Sequence, residues 1–299
     1  MLLSKNVSRM LRKHITVSEA PKTNNRLPLS FHRTFVPERR YITALLDFAA
    51  NEGAGTVQDI SAQTGIPTGK SSGKVPAILD YCYAMGLLGR GSYARGSEKA
   101  PRLTPFGRVV WLEDRHLAEG VTQWLAHFHM CRPDVGADAW HHVFAIGRGA
   151  LGLEFTAEEF EAYLANIYGP KNRSLAGPMV RMYEEPAAFR AAGVLRSGPH
   201  GIERRVAPVL EEFGNGYTAW LLKLLETHFP DERQTTVDDL NAASHWQSIA
   251  GWSPRQADLV LSMAQAKEAV DVDRQMRPWV ISRRGLSENC WHRLYEDLV

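Results

Sequence analysis

Between residues 41 and 110, apolar positions recur at helical spacing, stop at glycines, and then give way to a glycine-rich hairpin pattern. Ile42, Leu45, Leu46 and Ala49 fall on one face of a first helix, opened by Pro37 and Glu38 and ended by Gly53 and Gly55. The segment TVQDISAQTGIPTGK (56–70) reads as a second helix and a turn. Thr56 caps it, Asp59 stands in its first turn, and Gly65 turns the chain over Ile66. SSGKVPAILDYCYAMGLL (71–88) is a third helix with an apolar stripe of Val75, Ile78, Leu79, Tyr81, Cys82 and Met85, stopped by Gly86. A basic hairpin over 89–108 follows, with residues 103–110 as its return and the entry to the next helix. That order predicts a winged helix-turn-helix.

The fold class expected is mainly α. Residues 1–26 read as a basic flexible arm, 27–115 as the winged helix-turn-helix, 116–205 as a helical linker domain, and 206–299 as a second winged-helix-like domain. In the middle, EGVTQWLAHFHM and TAEEFEAYLANIYG are amphipathic. IGRGALGLE has glycines but no Lys-Ser or Lys-Thr pair, so it reads as a turn and not as a phosphate loop. In the last third, YTAWLLKLLETHF, TTVDDLNAASHW and SPRQADLVLSMAQAKEA repeat the helix order. Ser253 is a cap, Pro254 opens the last helix, and VDVDRQMRPWVISRR alternates as a hairpin.

Charge changes the picture more than composition does. Hydrophobic residues make up 44%, enough for a core. The chain carries a net charge of only +2, yet residues 1–110 hold 16 Lys or Arg against 7 Asp or Glu, a net of +9, leaving −7 for the rest. A basic first third points to a polyanion partner, and with a helix-turn-helix pattern that partner is double-stranded DNA. Three scattered cysteines form neither a disulfide framework nor a metal site, so a reducing cytoplasm is expected. No apolar run reaches the roughly 20 residues of a membrane span.

The expected DNA contacts follow from placement. Lys70, Ser71, Ser72 and Lys74 stand at the start of the third helix, where amides and dipole favour phosphate. Arg90, Arg95 and Lys99 lie on the wing, and Arg33, Arg39 and Arg40, with His32, point outward ahead of the first helix. Hydrolysis of DNA would need clustered carboxylates or a base beside a nucleophile. The candidate pairs are His32 with Glu38, His141 with His142, Glu211 with Glu212 and Asp271 with Asp273, and none is assigned as catalytic. Trp220, Trp246, Trp252 and Trp279, like His127 and His129, read as packing residues.

Two segments, LSFHRTFVPERRYITALLDFA and GIPTGKSSGKVPAILDYCYAMGLL, resemble a family of bacterial proteins encoded beside a phosphoadenosine-phosphosulfate-reductase-like protein in DNA phosphorothioation systems. The family is the B component of the Ssp-type system. The shared features are a His-x-Thr-Phe element (His32, Thr34, Phe35), Gly-Lys before the third helix, and Tyr-x-x-x-x-Gly-Leu at its end (Tyr81, Gly86, Leu87). GWSPRQADLVL and PWVISRR match the family's layout, so the likeness spans most of the chain. It implies a DNA-modification role beside a cysteine desulfurase and the reductase-like protein, with DNA nicking as a further implication. Magnesium or manganese would enter only with a nuclease. The reading from another class is a non-enzymatic winged-helix adaptor or transcriptional regulator.

Overall fold

Caps and glycines set the first elements of the computed structural model, which describes residues 25–69, 73–91, 98–170 and 175–298. Helix α1 (Arg39–Ala50) buries Ile42, Leu45, Leu46, Phe48 and Ala49. Helix α2 (Val57–Thr64) opens on a reciprocal box, in which Thr56 Oγ1 accepts from the Asp59 amide and the Asp59 carboxylate accepts from the Thr56 amide. It ends on Gly65 at φ 70°, the left-handed conformation that favours glycine. Helix α3 (Lys74–Ala84) is followed by Gly86 at φ 68°. Strands β1 (Leu88–Arg90) and β2 (Pro101–Leu103) pair antiparallel, Leu88 opposite Leu103. Just ahead of β2, Lys99 makes a single antiparallel bridge with Gly55, in the segment before α2.

Helices α4 (Pro105–Glu113) and α5 (Gly120–Met130) lead inward, and α6 (Asp138–Trp140) runs into a π-helical turn (His141–Ile146). Then come α7 (Arg148–Leu151), β3 (Glu154–Phe155), α8 (Ala157–Tyr168), α9 (Ala176–Glu184), β4 (Leu195–Gly198) and β5 (Gly201–Arg204). The last third holds α10 (Gly214–His228), β6 (Gln234–Thr236), α11 (Val237–Ser244), α12 (Trp246–Ala250), α13 (Pro254–Ala266), β7 (Val270–Asp273), β8 (Val280–Arg283) and α14 (Ser287–Trp291).

The protein is mainly helical, with small antiparallel sheets. The second sheet has the order β3-β5-β4 and the third β6-β8-β7. The first has the same order once the Gly55 segment is counted, because that segment lies beside β2. A helix, a short extended segment, two or three helices and a hairpin therefore follow one another three times along the chain. The middle repeat differs from the expected all-helical stretch. Its strands are two to four residues long, too short for alternation to show in the sequence. Nor is IGRGALGLE only a turn: it runs from the π-helical turn through α7 to Gly152 at φ 69° and on to β3.

One continuous core runs from Leu27 to Leu294. Helix α5 lies at its centre, with every residue from Val121 to Met130 buried. A helix without a solvent face must satisfy its polar groups internally. Gln123 Nε2 donates to Leu117 O, and its Oε1 accepts from the Ala192 amide. His127 Nδ1 lies 2.7 Å from the Tyr183 hydroxyl, which itself accepts from Trp140 Nε1. Helix α10 packs against α5, α11, α13 and α14. Among the described residues, no helix is long and apolar enough to cross a membrane.

Candidate nucleic-acid interface

The site is built on the turn ahead of α1. Arg33 (φ 48°) and Thr34 (φ 66°) are consecutive left-handed residues, an arrangement that needs support from outside the turn. Support comes from three sides. The Thr34 amide donates to His32 Nδ1 at 3.0 Å, Arg181 donates to Thr34 O at 3.1 Å, and the Tyr81 hydroxyl donates to Phe35 O at 3.1 Å. Phe31 packs edge-on against Tyr81 and Trp140 at 4.8 and 5.7 Å. The two motifs that carried the family likeness, around 32–35 and 81–87, are thus halves of one packed assembly.

His32, expected to point outward, is buried instead. Burial, then the nearby Arg181 charge, holds its pKa below the ordinary value, so it is a neutral support of the turn. Arg33 is thereby projected into solvent.

Arg33, Arg90 and Lys99 line a cleft of about 450 Å³ between the turn, α3 and the hairpin, with Tyr83, Asp80 and Glu98. None of the three cations makes an ion pair within 4 Å among the described residues. Arg90 lies over the Tyr83 ring at 5.2 Å. Asp80 is the half-buried acid of the cleft. Burial raises its carboxyl pKa, and Arg90, Arg33 and Lys99 pull it back only in part. Cations therefore outnumber the acids here.

The other expected contacts are placed differently. Lys74 is half-buried and paired with Glu38 at 2.7 Å, over the rings of Tyr41 (4.7 Å) and Phe35 (5.4 Å). Burial raises the Glu38 carboxyl, but the hydrogen bonds from Lys74 and Arg40 outweigh it and hold the pKa below the ordinary value. Arg39 donates to the carbonyls of His116 and Pro186, joining α1 to two distant loops. Both side chains were expected to face DNA, and both are engaged inside the protein. Arg40 is exposed, bonded to Glu38 and stacked over Tyr41 at 4.5 Å. Lys70, Ser71, Ser72 and Arg95 lie outside the described residues. Sequence reasoning passed over Asp80 and Tyr83, which lie on α3 outside its apolar stripe and carry no motif of their own.

Of the candidate pairs for hydrolysis, the His141 and His142 rings lie 5.8 Å apart, with His142 Nε2 4.0 Å from Asp138. His141 is buried with Nδ1 2.9 Å from Cys131 O, and burial lowers its pKa to about 4. Glu211 and Glu212 are exposed on a single turn, and Asp271 is paired with Arg284. Among the described residues, no three His, Cys, Asp or Glu converge as a group that holds a metal ion.

The fold defines a class: a mainly helical protein with small antiparallel sheets around a buried helix. Two solved structures share it. One is a crystal structure of magnesium ion-bound SspB, with a TM-score of 0.65, 16% identity, and 90% of this chain and 88% of that chain covered. The other is a crystal structure of SspB, with a TM-score of 0.63 at the same identity and coverage. The likeness to the B component of the Ssp system, read from two sequence motifs, is met by a likeness of fold over most of the chain. No family model and no curated protein matches.

Proposed function

We propose that this chain is a DNA-binding component of a bacterial DNA phosphorothioation system of the Ssp type, working with the desulfurase and the reductase-like protein of that system in the cytoplasm. The observation that carries the reading is the cleft of Arg33, Arg90 and Lys99, three cations without ion-pair partners among the described residues, in a chain that shares its fold with SspB. We read the first and last units as winged helix-turn-helix units. The order β6-β8-β7 and the matching order of the first sheet support that reading. In the first unit the wing and the 31–35 turn meet the phosphates, since Lys74 is engaged with Glu38. No hydrolytic step is assigned.

The test is duplex binding by gel shift with the wild type and with Arg33→Glu, Arg90→Glu and Lys99→Glu. The triple variant is expected to lose most of its affinity at low salt, because each phosphate left without its cation keeps about one counterion that binding would have released. Unchanged binding overturns the reading. A plasmid assay with magnesium or manganese then separates nickase from adaptor: relaxed circles that depend on the protein mark the enzyme, and their absence at saturating protein marks the adaptor.

A further inference from the structure

Helix α3 presents one face to the cleft of Arg33, Arg90 and Lys99. Pro76, Asp80 and Tyr83 line it at positions i, i+4 and i+7, one stripe of a helix, with Leu79 beside them. These three and Lys74 are the half-buried residues of α3, and its other residues are buried. Lys74 is held by Glu38. Asp80 is therefore the charged side chain that the helix offers to the cleft without an ion-pair partner among the described residues.

Asp80 is out of keeping with its surroundings. Arg90, Arg33 and Lys99 all lie close enough to favour its charged form, yet none pairs with it, and its carboxylate accepts no hydrogen bond among the described residues. Arg90 is turned over the Tyr83 ring instead, at 5.2 Å. Burial disfavours the charge and raises the pKa. The other acid of the cleft, Glu98, is exposed on the hairpin. A half-buried carboxylate without a donor lacks hydrogen bonds that a ligand in the cleft could supply. In a site for phosphates it also opposes binding, since it repels the anion that the cations attract. A donor on the ligand removes both penalties.

We propose that Asp80 is a specificity-determining residue of the cleft: its carboxylate accepts a hydrogen bond from the exocyclic amino group of one base of the bound duplex, while Arg33, Arg90 and Lys99 hold the backbone. The assignment rests on the DNA reading above and adds a sequence preference to it. Contacts between cations and phosphates set position and carry no sequence information, whereas base edges do. Amino groups are the donors that those edges offer: N4 of cytosine and N6 of adenine in the major groove, N2 of guanine in the minor. An ionised carboxylate only accepts, so it prefers these bases to thymine, whose edge offers acceptors and a methyl group.

The test is selection by the full chain from a pool of duplexes with a randomised centre. The selected duplex is then titrated beside copies that each lack one amino group, with purine in place of adenine, 2-pyrimidinone in place of cytosine, or hypoxanthine in place of guanine. For the wild type, loss of the amino group at one position is expected to weaken binding about tenfold, the size of one hydrogen bond to a charged group. In Asp80→Ala the same change is expected to weaken binding less than about twofold, because the acceptor is gone. Asp80→Asn keeps the shape and offers a neutral acceptor, for which about threefold is expected, and it decides alone if the first variant does not fold. The proposal is overturned, with the DNA reading intact, if the wild type binds duplex but selects no amino-bearing base, or if removing the amino group weakens the variants as much as the wild type. It falls together with the DNA reading if the wild type binds no duplex in the pool.

Discussion

The first and third units share one topology and expose opposite parts of it. In the first unit, α3 is the last helix before the hairpin, and no residue from Lys74 to Ala84 is fully exposed, because the helix packs against α5. In the third unit, the equivalent α13 turns Arg255, Leu259, Ser262 and Gln265 to solvent. Charge differs as well. Among the described residues Arg33, Arg90 and Lys99 stand without ion-pair partners around the first hairpin, whereas three cations of the third unit are answered, by Asp258 on Arg274, Asp271 on Arg284 and Asp297 on Lys267. The place of a helix before a hairpin thus does not by itself fix which of its faces meets solvent. What decides is which face the neighbouring elements leave open and which charges they leave unanswered.

The largest effect expected tests whether the units are one body joined through α5. His127 and His129 are held neutral, with pKa values lowered to about 3 chiefly by burial. In the unfolded chain both take up protons below the ordinary value of about 6.5. The unfolded state therefore binds more protons between those limits, so stability is full above pH 6.5 and falls as pH drops towards 3. By pH 5 each histidine costs about 2 kcal/mol, so about 4 kcal/mol together. Urea unfolding at pH 7 and pH 5 measures it. A single transition that weakens with acid is expected. Two transitions, only one of them acid-sensitive, would mean that the units unfold independently.

Next in size is a matched pair of charge reversals. Arg33→Glu with Lys99→Glu in the first unit should weaken duplex binding by about tenfold or more, and lower the slope of log affinity against log salt by about 0.9 for each phosphate no longer neutralised. Arg255→Glu with Arg277→Glu in the third unit should change affinity by less than about threefold, since exposed charges away from the duplex act weakly through screened solvent. The reverse ranking would move the interface to α13 and the second hairpin, where Met276 is 79% exposed and Arg277 lies 4.7 Å over the Trp279 ring.

The same contrast shows how far the sequence could be read. Signals that are local in the chain were legible: the Thr56–Asp59 box, the Gly65 turn, the Ser253 cap with Pro254, and the alternation that became β7 and β8. The repeat of the helix order in the last third was legible for the same reason. What was not legible depends on long-range packing. Periodicity marks an apolar stripe, but it does not show that a second layer, here α5, covers the remaining face of α3. Nor does it show that Lys74 meets Glu38, 36 positions earlier, or that the His32 and Tyr81 motifs touch through Phe35. The middle unit stayed hidden because β3, β4 and β5 are shorter than the window in which alternation can be recognised.

The smallest effects sharpen the comparison at single hydrogen bonds. Tyr81→Phe removes the donor to Phe35 O and should cost about 1 kcal/mol. Ser253→Ala removes the side-chain cap of α13 and should also cost about 1 kcal/mol. Equal in stability, the two should differ in function. The Tyr81 hydroxyl holds the turn whose left-handed residues project Arg33, so its removal should weaken duplex binding by about two- to threefold, while the Ser253 variant binds as the wild type does. Thermal melts establish that the stability losses match, and titrations at fixed salt read the difference. If the two variants bind DNA alike, the 31–35 turn is packing alone, and the cations of the first hairpin must be held in place by something other than the Tyr81 assembly.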